Sequence, residues 1–300
     1  MPDEAATIAD LDACLFCGVN LDAKSRTREH LFPSWLQDEY NLANERLVLL
    51  NDSSVRYNQL VVPACRDCNT VHASQLENRI RQDIATPQDM YVWLLKMQFG
   101  IMHWETAHPA SQDRRRPEAK LPILPGDAFD IGFLHALFDV LKRPEPQFVP
   151  NPLGSVFSFP ARGNEFFYSD KLFQHPLAGP EAHNYSAACV VMHSRCWIVL
   201  FDDMAQIYER NVDHSAMAAQ VTGGKDPLQF FPELMFMRAC VDWLPHTLVV
   251  GPTNGPAQGV SFMPAMTPPP LLPRRDEDLK LFYHLTGWTE DDPDDDSPES

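Results

Sequence analysis

Two close cysteine pairs, Cys14-x-x-Cys17 and Cys65-x-x-Cys68, constrain the fold of this chain more than any other feature. A tight turn presents both thiolates of such a pair, and two turns that meet complete the tetrahedral ligand set that zinc prefers. The cysteine count of seven is odd, and Met1–Asp10 lacks the basic and apolar order of a secretion signal, so a disulfide framework is not expected. We therefore expect a structural Zn²⁺ site formed by these four thiolates.

Composition limits the kind of protein that surrounds this site. A chain of 300 residues with 44% hydrophobic and 22% charged residues has the composition of packed domains, and its length favours two of them. The formal net charge is −17, and Thr289–Ser300 contains seven acids and no basic residue, so we expect 289–300 to be a disordered acidic tail. The longest apolar runs fall far short of the ~20 residues of a membrane span, so we expect a cytoplasmic protein without a membrane partner.

The functional pattern lies between the two cysteine pairs and at the residue directly after the second pair. Glu29-His30-x-x-Pro33 follows the first pair, Asn58 precedes the second pair, and Asn69 comes directly after it. In this order the residues resemble the HNH endonuclease family in its zinc-bound ββα-metal form, over residues 12–80 only. The resemblance implies a two-stranded ribbon and a helix held together by zinc. It also implies an enzyme that hydrolyses phosphodiester bonds in nucleic acid, DNA rather than RNA.

The resemblance implies a role for each matched residue. His30 would be the general base that deprotonates water, because an imidazole can accept a proton near neutral pH. Glu29 and Asn69 would hold a catalytic Mg²⁺ or Mn²⁺, which are bound by oxygen ligands. Asn58 would orient His30, although Asn51 is an alternative for that position. Because neighbouring strand residues point to opposite faces, Glu29 and His30 share one site only if the strand ends or bends there, as the nearby proline favours.

Further candidate residues come from helical geometry and from charge. His72 and Glu77 lie three and eight residues after Asn69, and with 100° per residue either can face the same cation. Nucleic-acid contacts would come from cations that bind phosphates without reading bases. The candidates for these contacts are Lys24, Arg26, Arg28 and Arg66. For all of these side chains, an ordinary exposed polar residue is the alternative interpretation.

The sequence predicts an α+β fold in three parts. An HNH-like zinc module occupies 1–85, a mixed α+β domain occupies 86–288, and the acidic tail follows. The second domain has no recognisable catalytic motif, and we expect it to be a sensor, a scaffold or a dimerisation platform. It would then provide contacts to a regulatory partner or to a second copy of the chain.

Particular elements of the second domain can be predicted from pattern. Thr86-Pro87 predicts a helix start, and apolar residues at helical spacing from Met90 to Trp104 predict a stripe that faces the core. Tyr185–His193 and Cys196–Phe201 predict the two strands of a β-hairpin. Thr253–Pro273 is rich in proline and glycine, which predicts an irregular segment.

Three functions are compatible with the sequence. The first is a metal-dependent HNH endonuclease, with bacterial defence effectors as an analogy for its biological use. The second is a catalytically inactive zinc-stapled module that binds nucleic acid or protein, which the negative net charge favours. The third, a zinc-dependent catalyst of another kind, is disfavoured because four thiolates leave no open coordination position on the zinc.

Overall fold

The computed structural model describes residues 12–49, 54–107, 131–143, 146–149, 151–173, 185–203, 213–240, 246–250, 259–263 and 276–286. The fold is mixed α+β, as predicted. The predicted acidic tail and Asn51 lie outside the described residues. The helices are α1 Ser34–Glu39, α2 Ser74–Arg81, α3 Pro87–Ala107, α4 Ile131–Leu141, α5 His214–Thr222, α6 Phe230–Ala239 and α7 Asp276–Thr286. The strands are β1 Arg26–His30, β2 Arg46–Val48, β3 Ser54–Arg56, β4 Val61–Cys65, β5 Gln147–Val149, β6 Ser155–Pro160, β7 Phe167–Phe173, β8 Tyr185–Met192, β9 Arg195–Leu200, β10 His246–Val250 and β11 Gly259–Met263.

A two-stranded ribbon followed by a helix forms the N-terminal part of the fold. Strands β1 and β4 pair antiparallel, with Glu29 opposite Val62 and His30 opposite Val61. The chain leaves β4 through the second cysteine pair and enters a π-helical segment, Asp67–Ala73, which continues directly into α2. Between the two strands of the ribbon, β2 and β3 form a separate short hairpin. The ribbon and α2 therefore bring the residues on either side of both cysteine pairs close together.

Helix α3 is the centre of the molecule. Its start is capped as the sequence predicts, because the Thr86 hydroxyl accepts from the Asp89 amide at 3.1 Å and the Asp89 carboxylate accepts from the Thr86 amide at 2.9 Å. The sequence predicted one buried stripe on this helix, whereas in the structure α3 is buried on nearly all sides between Met90 and Met102. The reason is that α3 contacts the ribbon strand β4 and also the sheet strands β6, β8 and β9.

A four-stranded antiparallel sheet in the order β6-β9-β8-β7 packs against α3. The predicted hairpin is its β8–β9 pair, and the turn uses His193 and Ser194 with φ of 51° and 56°, as a type I′ turn requires. Alternate residues of β8 contribute to two hydrophobic clusters. Ala188 and Val190 join the cluster that contains α3, and Ala187 and Cys189 join the cluster that contains α6. The sheet is therefore covered by helices on both faces.

A smaller sheet lies in the order β10-β11-β5, with β11 antiparallel to β10 and parallel to β5. Strand β11 falls inside Thr253–Pro273, the segment that composition predicted to be irregular. Its pairing with the nearby strand β10 and the distant strand β5 stabilises an extended conformation that local composition does not indicate. None of the helices among the described residues is both long enough and apolar enough to cross a bilayer.

Candidate functional site

The four cysteines of the two pairs meet in one cluster. The sulfur atoms of Cys14, Cys17, Cys65 and Cys68 all lie within 4.8 Å of one another, and the Cys17 and Cys65 sulfurs are 3.8 Å apart. Four sulfurs at about 2.3 Å from a central zinc ion would be separated by about 3.8 Å in a tetrahedron. The cluster therefore fits a metal such as zinc, as the spacing predicted.

The first cysteine turn depends on Gly18. Its φ is 69°, in the left-handed region, and its amide donates to the Cys14 carbonyl at 2.8 Å. A Cβ atom at this position would also lie 2.7 Å from the His135 ring of α4. Phe16 stacks on Phe138 of α4, with ring centroids 4.8 Å apart. Helix α4 therefore packs directly against the first cysteine turn.

Hydrogen bonds and charge lower the pKa of one cysteine in the cluster. The pKa of the Cys17 thiol falls because Cys14 and Cys68 hydrogen-bond to its sulfur, and the positive charge of Lys142 after α4 adds to the effect. The same contacts raise the pKa of Cys14 to about 11 and also raise that of Cys68, so they favour the thiolate at Cys17 at the expense of its two partners.

The faces of β1 separate its functional residues into two groups. Arg26, Arg28 and His30 are exposed, whereas Glu29 is buried. This alternation is the ordinary period of a strand. Strand β1 does end at His30, but His30 is still paired with Val61, so the alternation of faces continues to this last residue. The structure therefore places the imidazole of His30 and the carboxylate of Glu29 on opposite faces of the ribbon.

The buried face of β1 carries an ion-pair cluster that the sequence did not reveal. The ammonium of Lys96, from the middle of α3, contacts the Glu29 carboxylate and lies 2.6 Å from Oε1 of Glu77 on α2. The Lys96 side chain is 0% exposed. Burial alone would lower the pKa of Lys96, but Glu77 and Glu29 raise it above the usual lysine value. Lys96 is therefore a fully buried, charged residue between two carboxylates.

A signal for Lys96 was present in the sequence. It is the only charged residue between Met90 and Met102, a run that is otherwise apolar apart from one glutamine. A lysine on the buried part of a helix needs a partner of opposite charge, because an unpaired buried charge is costly. The sequence could thus have predicted an acidic partner for Lys96, but not which residue it would be.

Asn69 lies on the same side of β1 as Glu29. Its amide nitrogen Nδ2 donates to Oγ1 of Thr27 at 3.0 Å and to the carbonyl oxygen of Arg28 at 3.3 Å. The Thr27 hydroxyl donates to the Ala64 carbonyl at 2.8 Å, so the contact also involves β4. Asn69 therefore holds the start of the π-helical segment against the ribbon.

The two further candidate cation ligands, Glu77 and His72, lie in different parts of the site. Glu77 joins Glu29 and Lys96, whereas His72 lies near Lys142 and Asp67 beside the cysteine cluster. Burial and the positive charge of Lys142 lower the pKa of His72.

The predicted middle asparagine lies in a separate turn. Asn58 is exposed in the short helical turn Tyr57–Gln59. Both Asn58 and His30 are described, and the structure does not join them by a hydrogen bond.

The predicted phosphate contacts are all exposed, but they are not equivalent. Arg26 pairs with Asp12 at 2.8 Å, whereas Arg28 lies beside His30 on the exposed face of β1. Lys24 belongs to the turn before β1, in which its amide donates to the Asp22 carboxylate at 2.9 Å. Arg66, between the cysteines of the second pair, completes the set. The exposed face of β1 is therefore basic, although the whole chain is acidic.

No family model matches this chain, and no curated protein or solved structure is significantly similar to it. The inferences that follow therefore depend on the geometry of the residues themselves.

Proposed function

We propose that this chain is an endonuclease that hydrolyses phosphodiester bonds in nucleic acid, DNA rather than RNA, with His30 as its general base. The observation that supports this most is the unit built on the cysteine cluster. It consists of a two-stranded ribbon and a helix, and the ribbon ends in a histidine flanked by exposed arginine. An imidazole beside a phosphate-binding cation is a suitable arrangement for activating water next to a phosphodiester.

The chain's own residues supply three parts of this activity. Arg28 shares the exposed face with His30 and would bind a phosphate of the backbone without reading sequence. His30 would take a proton from the attacking water, since its imidazole is exposed at the end of β1 and can contact a water molecule bound beside the phosphate. Asn69 and the cysteine cluster would hold the helix against the ribbon, so that the strand end keeps its position.

A catalytic divalent cation does not fit the residues as they stand. The carboxylate of Glu29 is ion-paired with Lys96 on the face opposite His30, and Asn69 directs its amide nitrogen towards β1. The proposal therefore assigns no chemical step to Mg²⁺ or Mn²⁺. Dependence on a cation is instead measured in the experiment below.

The second candidate function is a zinc-stapled module that binds nucleic acid or protein without cleaving it. The specific observation in its favour is the separation of Glu29 from His30, because a carboxylate paired with Lys96 on the buried face of β1 does not meet the exposed imidazole at one phosphate. The negative net charge of the chain disfavours tight binding of nucleic acid, so it supports the protein-binding form of this second candidate.

Plasmid nicking with two matched histidine variants tests the proposal. His30→Asn removes the proposed base. His193→Asn makes the same replacement in the β8–β9 turn, where φ is 51° and asparagine is well tolerated. With Mg²⁺ or Mn²⁺ present, we expect wild type and His193→Asn to nick DNA at similar rates. We expect the His30→Asn rate to fall by at least about 100-fold.

Zinc content and melting temperature of the three proteins provide the control for folding. Equal nicking by wild type and His30→Asn would exclude His30 as the base. Absence of nicking by all three folded, zinc-loaded proteins, with retained binding of a DNA duplex, would favour the binding module. An added chelator that abolishes nicking without removing zinc would demonstrate the cation dependence that the family resemblance implies.

A further inference from the structure

The exposed face of the β2–β3 hairpin carries two arginines side by side. Leu47 and Val55 pair across the hairpin and are buried, whereas Arg46 and Arg56 pair across it and are exposed. Side chains at directly opposite strand positions lie within reach of one another. The proposed function described above uses neither of these two guanidinium groups.

Backbone hydrogen bonding brings the side chains of this pair close together. The Tyr57 amide donates to the Glu45 carbonyl at 3.2 Å. Hydrogen-bonded and non-hydrogen-bonded pairs alternate along an antiparallel ladder, so the next pair, Arg46 and Arg56, is of the kind in which side chains approach most closely. Glu45 points to the other face of the strand. Burial and the charge of Glu45 raise the pKa of Tyr57 to about 12, so this carboxylate lies near Tyr57.

Neither arginine forms an ion pair with a carboxylate in the part of the chain that the structure describes. The guanidinium of Arg46 is oriented by Ser54, whose hydroxyl oxygen accepts from Nε at 2.9 Å and whose carbonyl oxygen accepts from Nη2 at 2.6 Å. These two bonds leave its charge unneutralised and its remaining N–H donors open to a ligand. The pair is therefore a positive site on a chain whose net charge is −17.

Stability does not explain this pair. Like charges directly opposite each other on two strands destabilise a hairpin. Charged side chains also keep exposed strand edges from pairing with other chains, but an arginine opposite a glutamate would protect the edges equally well. An anion bound by both guanidinium groups offsets their repulsion. Phosphate is the anion that suits them, because a guanidinium binds two phosphate oxygens with parallel N–H bonds.

The hairpin adjoins the end of the ribbon at which the proposed base lies. His30 is paired with Val61, and the turn Tyr57–Gln59 connects β3 to β4 directly before that pair. The ring of Tyr57 packs against Phe32, two residues after His30, with ring centroids 4.6 Å apart. Because Arg56 directly precedes Tyr57, this packing fixes the base of the hairpin next to the end of β1.

We infer that Arg46 and Arg56 together bind one phosphate of a DNA backbone, so that the β2–β3 hairpin is a second DNA contact beside His30. The inference rests on the proposed function for the identity of the anion as DNA. Arg28 contacts the backbone from the ribbon, and the arginine pair contacts it from the hairpin that follows the end of β1. The hairpin thus adds to DNA affinity without reading sequence.

Binding of a labelled DNA duplex of arbitrary sequence to the full, zinc-loaded chain tests this contact. Fluorescence anisotropy is measured without added divalent cations, so that the duplex stays intact. We expect Arg56→Gln to weaken binding at least about tenfold, because a charge-assisted hydrogen bond is lost. Arg162→Gln is the matched control, because it removes the same charge from an exposed arginine in the connection between β6 and β7, and it should bind like wild type.

The salt dependence of binding tests whether the two arginines share one phosphate. Each neutralised phosphate contributes about 0.9 to the slope of log affinity against log salt concentration. We expect the slope of the double variant Arg46→Gln/Arg56→Gln to be shallower than that of wild type by about 0.9. A decrease of about 1.8 would mean two separate phosphates and would overturn the shared site.

The melting temperature at low salt shows whether Arg56 has a structural role instead. Removing one of two like charges should leave the melting temperature of Arg56→Gln equal to that of wild type or raise it. A lower melting temperature with unchanged DNA affinity would overturn the inference. So would weaker binding of poly-glutamate by Arg56→Gln with unchanged DNA affinity, because the site would then serve an acidic protein.

Nicking assays separate this inference from the proposed function. DNA binding that depends on Arg56, without nicking by any of the proteins, would retain the inference and remove the nuclease proposal. Nicking that depends on His30, with DNA affinity unchanged in Arg56→Gln, would do the opposite. Absence of duplex binding by the wild type would overturn both.

Discussion

Asp170 should make the stability of this protein fall as the pH rises towards neutrality. It lies on β7 opposite Ala188, is almost completely buried, and has one carboxylate oxygen, Oδ2, without a hydrogen-bond partner. Burial raises the pKa of Asp170 from 3.8 to about 7, and the charge of neighbouring Lys171 only partly opposes this. The folded protein therefore keeps a proton on Asp170 at pH values where the unfolded chain has lost it.

The sign and size of the effect follow from this difference in pKa. Between the two pKa values the folded state binds more protons than the unfolded state, so the free energy of unfolding decreases as the pH rises through that range. Well above the folded-state pKa, Asp170 no longer makes the free energy of unfolding change with pH. A difference of about 3 pKa units corresponds to about 4 kcal/mol, of which about 2 kcal/mol falls between about pH 5 and about pH 7, and about 3 kcal/mol between about pH 5 and about pH 8.

Urea unfolding of Asp170→Asn and wild type measures this contribution. The variant cannot ionise at this position, so its free energy of unfolding relative to wild type should rise by about 3 kcal/mol from about pH 5 to about pH 8. Taking the difference between the two proteins cancels the titration of all other groups. Asp38→Asn, a change of the same kind on the exposed side of α1, is the control for removing one carboxylate from the chain. Parallel pH profiles for Asp170→Asn and wild type would refute the reasoning.

Three further predictions follow from single contacts. Cys17→Ser should reduce the zinc content measured by mass spectrometry and lower the melting temperature, because the sulfur cluster loses one of its four ligands. Gly100→Ala should destabilise the protein by about 1–3 kcal/mol in urea unfolding, because the new methyl group overlaps Leu31. Arg238→Met should cost about 3–5 kcal/mol, because it removes the guanidinium that pairs with the buried Asp202 carboxylate at 3.1 Å.

Each of these three changes has a control elsewhere in the chain. Cys196→Ala alters a buried cysteine outside the cluster and should leave the zinc content unchanged. Gly223→Ala, whose Cβ would lie 3.3 Å from the nearest atom, should cost much less than Gly100→Ala. Arg195→Met removes an exposed arginine and should have a small effect. Full zinc content in Cys17→Ser would contradict the first argument. An equal loss of unfolding free energy in a glycine variant and its control, or in an arginine variant and its control, would contradict the second or the third.

Local sequence signals predicted several elements correctly because the information lies within a few residues. The start of α3 follows from Thr86 and Asp89, which cap each other's backbone amides. The β8–β9 hairpin follows from two apolar runs with a short turn between them. Strand β11 could not be predicted in this way, because its extended conformation depends on pairing with β10 and β5, and β5 is more than a hundred residues earlier in the chain.

The sequence alone determined that four sulfurs would meet, because two short turns can each present two thiolates and the tetrahedral preference of zinc then relates the turns to one another. It also determined which residue types lie near them. Only the tertiary structure decided which of Glu29 and His30 is buried and which is exposed. The register of β1 against β4 turns one inwards and the other outwards, and the packing of α3 brings Lys96 to the inward carboxylate. The environments of two adjacent strand residues are decided only when the strand pairs with another strand and one of its faces is covered. For β1 that cover comes from α3, which begins about sixty residues later in the chain.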